Sequence, residues 1–257
     1  MSSAEMVLPQ ATRTVRRFAI TWRNRLKRHI APVAVLDDLG DHYRFQYLDG
    51  AEKVDGFRPL VGFPDFAGVY TSKRLWPFFE LRAMDRKRPD FAEYASWLGL
   101  TSSASTLDIL SRSGGGNKGD SFHLVEAPTI ASDGETESIF LARGVRYALD
   151  EHGTAAAAAA LQPGDKLQLG DDFGNEANPR AVLLQTCAGE SVGWVPDLLA
   201  DYARELREGG GTVQLVQNNR EAPPHARLLV RLSGRVTAET RPFVGGVWPP
   251  FGFGAVS

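Results

Sequence analysis

The chain has 257 residues, 43% of them apolar and 23% charged, with a formal net charge of −2. This composition belongs to a globular protein of two small domains or one large one, and it excludes a disordered chain and any overall basic character for nucleic acid. Cys187 is the sole cysteine, which excludes a disulfide framework and a cysteine zinc site and makes a reducing compartment, the cytoplasm, the expected location.

The opening MSSAEMVLPQATRTVRR has no apolar centre for a secretory signal, and apolar runs fall short of the ~20 residues that span a bilayer, so no membrane partner is expected. Residues 1–17 read as a loose N-terminus. VRRFAITWRNRLKRHI (15–30) carries six Arg/Lys and no acid. Val15, Phe18, Ala19, Trp22 and Leu26 fit one face of a basic amphipathic helix. The competing pattern, FAITW then an RNR turn then HIAPVAVL, is a β-hairpin, and it is preferred. Asp37-Asp38 then reads as a solvated turn. HYRFQYL (42–48) alternates Tyr43, Phe45 and Tyr47 as a third strand.

From Pro77 to Leu100 the period becomes helical. Pro77 and Pro89 suit first turns, Phe91, Tyr94, Ala95 and Leu98 form a stripe, and Gly99 suits a C-cap. TLDILSR continues as a short helix into SRSGGGNKGDSF (111–122), and FHLVEA (122–127) is a strand. APTIASDGETES is polar and turn-rich, a linker at 129–137. Next come a strand-like run IFLARGVRYAL, an alanine block at 155–160, and strands in LQPGDKLQLG, AVLLQT and SVGWV. PDLLADYARELREG is a helix, and TVQLVQ and ARLLVRLSG are two further strands. The last segment, 236–257, is rich in Pro, Gly and aromatics and suits an extended tail packed on the body or on another subunit.

Chemical motifs are sparse. The glycine turn around Lys118 fails as a phosphate loop, because Lys118 precedes Gly119 and the order is helix then strand. His29, His42, His123, His152 and His225 match no metalloprotease spacing or nucleophile elbow. Cys187 is expected to be a small buried hydrophobe. No catalytic constellation, metal site or cofactor follows from these residues, and the chain reads as non-enzymatic; an enzyme with an unrecognised site is the third reading.

GVRYALD, GDKLQLGDDFGNEANPRAVLL and GESVGWVPDLLADYARELREG occur in the order of a HIRAN domain, and residues 138–235 resemble that family. The resemblance implies an OB-like β-barrel with an added helix, a module known to hold the 3′ end of single-stranded DNA. It assigns nucleic-acid contact to Arg146, Tyr147, Asn175, Asn178 and Arg180. Ala148, Ala177 and Asn178 depart from the family pattern, and residues 136–235 carry 10 Arg/Lys against 13 Asp/Glu, a net of −3, which weighs against phosphate affinity. Residues 18–128 resemble the N-terminal subdomain of HipA-type kinases through LWPFFELRAMDRKRPDFAEYASWLGL and DILSRSGGGNKGDSFHLVEAP. That resemblance implies a protein partner, a HipA-type kinase or related toxin, met by Trp76, Phe78 and Phe79. The expected fold is therefore α+β: a small N-terminal β-sheet with helices, then an OB-like barrel with a helix.

Overall fold

A computed structural model describes residues 15–24, 26, 29–116, 121–150, 154–175, 178–237, 239–244 and 246–249. The chain opens with the expected hairpin, β1 (Arg16–Arg23) against β2 (Ile30–Asp38), and not with a basic helix. β3 (Tyr43–Tyr47) and β4 (Val69–Ser72) extend the sheet. Three short helices follow: α1 (Pro77–Glu80), α2 (Phe91–Trp97) and α3 (Thr106–Ser113). Ser105 and Asp108 form a capping box on α3, which satisfies two amides of its first turn. β5 (Phe122–Glu126) returns to pair with β1, giving the order β4-β3-β2-β1-β5.

The second sheet begins at once. β6 (Thr129–Ile130) and β7 (Glu135–Leu141) are hydrogen-bonded neighbours, so the stretch 129–137 is part of a sheet and not a free linker. Helices α4 (Val145–Asp150) and α5 (Thr154–Ala160) precede β8 (Lys166–Asp171), β9 (Val182–Gln185) and β10 (Ser191–Trp194). Then come α6 (Ala200–Glu208), β11 (Thr212–Asn218) and β12 (Leu228–Arg235). The order is β10-β9-β8-β11-β12-β7-β6. This antiparallel sheet does not close into the expected barrel. One isolated bridge links β10 to the stretch just after β7, with Arg143 N–H donating to Trp194 O at 2.8 Å and Trp194 N–H to Arg143 O at 2.9 Å.

β1 and β2 are buried along almost their whole length, the pattern of strands covered on both faces. Phe18, Ile20 and Leu36 enter an aromatic core with Phe45, Tyr47, Phe63 and Phe79. Its centre is the Phe45–Phe63 pair, with ring centroids 4.0 Å apart. Ala19 and Val125 belong instead to the core of the second sheet, beside Phe140, Val182, Leu206 and Val230. A third core joins Phe91, Leu98 and Ile109 to Leu141, Ala226 and Leu229. The two halves thus share apolar cores through β1, β5, α2 and α3.

The register of the first sheet aligns Arg17 with Asp37 and Asp37 with Arg44. Asp37 is not a solvated turn residue. Its side chain is 0% exposed, and that of Arg17 only 1%. Arg17 Nε and Nη2 donate to the two Asp37 oxygens at 2.7 and 2.9 Å, and Arg44 Nη2 donates to Oδ2 at 2.8 Å. Arg17 Nη1 is taken by two carbonyls of the C-terminal segment, Phe243 O at 2.9 Å and Pro249 O at 2.8 Å. The segment therefore packs on the body, with Phe243 in the second core. Arg16 and Arg17, expected in the loose N-terminus, are strand residues. Removing one member of a buried, bonded ion pair leaves the other charge uncompensated. Asp37→Ala is expected to lower unfolding free energy by about 3–5 kcal/mol in urea titrations, whereas Asp38→Ala should change it far less.

Candidate nucleic-acid interface

The strand-like run expected through Arg146 and Tyr147 ends early. β7 stops at Leu141, Arg143 makes the bridge to Trp194, and the chain turns at Gly144 into α4. Gly144 has φ 63°, and a Cβ there would lie 2.4 Å from Trp194 Cε3. The indole leaves no room for a side chain, so glycine is required both for the backbone angle and for the close approach. Val145 is buried and anchors the helix, while Arg146 and Tyr147 face outward. Tyr147 is 69% exposed, and Arg146 has no hydrogen-bond or ion-pair partner among the described residues.

Trp194 links this turn to the loop after β8. Its Nε1 donates to Asp172 Oδ2 at 2.8 Å. The next residue, Phe173, is 85% exposed. The sequence marks Phe173 only by its place, an aromatic in an Asp-Asp-Phe-Gly turn where no strand periodicity buries it. Trp194 thus touches Gly144, three residues before the exposed Tyr147, and bonds Asp172, next to the exposed Phe173.

The loop polar residues have structural work. Asn175 Nδ2 donates to Asp172 Oδ2 at 3.2 Å, and Asn175 Oδ1 accepts from Asn178 N–H at 3.0 Å. Asn178 Oδ1 accepts from Arg180 N–H at 3.0 Å, and its Nδ2 donates to Asp197 Oδ1 at 2.9 Å. These bonds set a string of side-chain turns. Arg180 pairs with Asp201 at 2.6 Å, with both side chains largely exposed; such a pair contributes little to stability. Arg204 and Arg207 both bond Asp171, whose carboxyl is held below its ordinary range chiefly by Arg204. Asp171 and Asp201 are thus held by neighbouring arginines, and Arg146 is one of the cations of this half without an ion pair among the described residues.

Behind the turn lies a second cluster. His123 on β5 approaches Gly114, as does the Arg143 guanidinium: a Cβ on Gly114 would lie 2.8 Å from His123 Nε2 and 2.9 Å from Arg143 Nη2. Burial, then the charge of Arg143, pushes His123 down to about 3. Arg143 falls to about 10 through burial, opposed by the attraction of Asp197. His225 is lowered in the same way as His123, by burial and then by Arg143. Gly114 and Gly116 thus lie against the His123 ring; Lys118 lies outside the described residues, and so does His152.

In the first half, Phe79 is fully buried in the aromatic core and cannot meet a partner. Trp76 and Phe78 are half-buried against that core, and Arg82 stacks on Phe78 with its guanidinium carbon 3.9 Å from the ring centroid. Cys187, expected to be buried, is exposed in the turn after β9. Among the described residues no group of three His, Cys, Asp or Glu side chains is placed to hold a metal ion, and no helix is long and apolar enough to cross a membrane.

Two measurements check this geometry. His123 and His225 take up protons in the unfolded chain near their ordinary pKa but resist them when folded, so stability is fully present above about pH 6.5 and falls as pH drops toward 3. The urea midpoint should decline across that window, with each fully excluded proton costing up to ~1.4 kcal/mol per pH unit. His123→Phe should flatten much of the decline; Asp108 and Asp171, whose pKa values are lowered, act only at the acid end of that window and below, near and under about pH 4. Gly144→Ala should lower the midpoint of thermal unfolding followed by circular dichroism.

No protein-family model matches the chain, and no curated protein matches it. Among solved structures, the crystal structure of the HIRAN domain of human HLTF is similar to part of it, at 13% sequence identity and a TM-score of 0.29, covering 38% of this chain and 73% of that one.

Proposed function

We propose that the chain is a non-enzymatic binding protein whose second sheet carries a surface for single-stranded DNA or DNA ends. The observation that carries this reading is the exposure of two rings, Tyr147 and Phe173, with Arg146 next to Tyr147 and without an ion pair among the described residues. Aromatic faces stack on bases irrespective of sequence, and an arginine beside them meets the phosphate. The HIRAN-like order of the surrounding segments agrees with it. Two acids of this half, Asp171 and Asp201, are held by Arg204, Arg207 and Arg180.

A second reading assigns the first half to a protein partner, a HipA-type kinase or related toxin, with no nucleic acid involved. Leu81 favours it: the residue follows α1, next to Phe78 and Arg82, and is 77% exposed. In that case the chain would be an antitoxin-like assembly subunit, and Leu81→Asp should abolish co-purification with the kinase while leaving oligonucleotide binding intact.

Fluorescence anisotropy with labelled single-stranded and duplex oligonucleotides tests the first reading. Binding should weaken steeply between low and physiological salt. Tyr147→Ala should weaken it by roughly 5- to 100-fold, the worth of one base–aromatic stack. Arg146→Ala should reduce the salt slope by about one. Absence of salt-sensitive binding, or identical binding by Arg146→Ala and Tyr147→Ala, overturns the DNA reading.

A further inference from the structure

A cavity of about 110 Å³ lies between the two sheets, walled by Ser111 and Arg112 of α3, Glu126 of β5, Glu137 of β7, and Arg143. Its wall carries two arginines and two glutamates. Glu126 is bonded by Arg16 at 2.6 and 3.2 Å, and Glu137 is paired with Arg231 at 3.0 Å. Each carboxylate on the wall is thus already engaged by an arginine outside the wall. The two arginines of the wall feel nearby acids, Arg112 the charges of Glu126, Glu137 and Asp108 and Arg143 that of Asp197, but among the described residues neither is hydrogen-bonded to a carboxylate. Arg112 Nη1 donates to Ile139 O at 2.7 Å, but its Nε is buried without an acceptor. Arg143 makes no side-chain hydrogen bond or ion pair among the described residues. On its far side it meets His123, which is neutral, and Asp197, whose Oδ1 is bonded by Asn178.

A buried donor with no acceptor and a second guanidinium facing the same small space call for a ligand rich in acceptor oxygens and negative in charge. The volume is several times the share of one water, about 30 Å³, and suits a tetrahedral oxyanion. We propose that this cavity is a phosphate site, in which Arg143 and Arg112 hold a phosphate group between the first and second sheets. The two arginines come from different halves, α3 on one side and the turn after β7 on the other. Occupancy therefore ties the halves together. The site is separate from the outward face of Tyr147 and Phe173 and does not depend on the DNA reading.

Inorganic phosphate is the probe. In thermal unfolding of the full chain, millimolar phosphate should raise the midpoint saturably, while sodium chloride of equal ionic strength should not. Arg143→Gln and, separately, Arg112→Gln should weaken the apparent affinity by roughly tenfold or more, the worth of a charge-assisted bond. Should Arg143→Gln fail to fold by circular dichroism, Arg112→Gln and a phosphorus NMR titration of the wild type decide. No saturable response in the wild type, or one unchanged in the variants, overturns the proposal. A short 5′-phosphorylated oligonucleotide run in parallel separates the sources. Displacement of phosphate by it, and not by its unphosphorylated twin, identifies a nucleic-acid terminus; no displacement identifies the free ion.

Discussion

The buried Arg17–Asp37 pair is the constraint around which the first half is arranged. Two charges removed from water are tolerable only if nearly every donor and acceptor is used. The sheet register places Arg17, Asp37 and Arg44 in one row, so Asp37 receives two guanidinium groups. That leaves Arg17 Nη1, whose acceptors come from the C-terminal segment. The pair therefore dictates that the far end of the chain must return to the first strand, and the covered face this creates explains why β1 and β2 show no alternation of burial.

The same strand couples the halves. Odd and even residues of β1 serve different cores: Phe18 and Ile20 the aromatic one, Ala19 that of the second sheet. Helices α2 and α3 lie against β7 and β12 through Phe91, Ile109, Leu141 and Leu229. With no spacer between β5 and β6, the halves form a continuous packed body rather than beads on a string. A ligand held between α3 and Arg143 would act on that shared packing.

Much of the architecture was legible in the residues. The hairpin of β1 and β2, the strand at Tyr43–Tyr47 and the helix ended by Gly209 follow from period and turn chemistry. What was illegible came from tertiary context. Asp37 looks like a turn acid because its partner stands 20 residues away. The GVRYALD run looks like a strand because Val and Tyr favour one, yet the steric demand of Trp194, far along the chain, forces the turn at Gly144. The loop bonds of Asn175 and Asn178, one of them to Asp197, depend on the folded turn and carry no signal in the sequence. Phe173 escaped notice because a single exposed ring in a polar turn carries no periodic signal. Arg143 escaped because a cation between two apolar stretches shows nothing of its missing counter-charge.

The bond between Arg17 and Pro249 spans 232 positions, and this bears on how the chain is made. A ribosome adding about 5–20 residues per second needs on the order of tens of seconds to deliver the second acceptor after the arginine has emerged. For that interval the first sheet exists with one guanidinium nitrogen turned toward water and with one face of β1 bare. Completion of the N-terminal strand is thus timed by the arrival of the C-terminal segment, and a transcript cut short before Phe243 would yield a protein whose earliest-made strand is the one left unfinished.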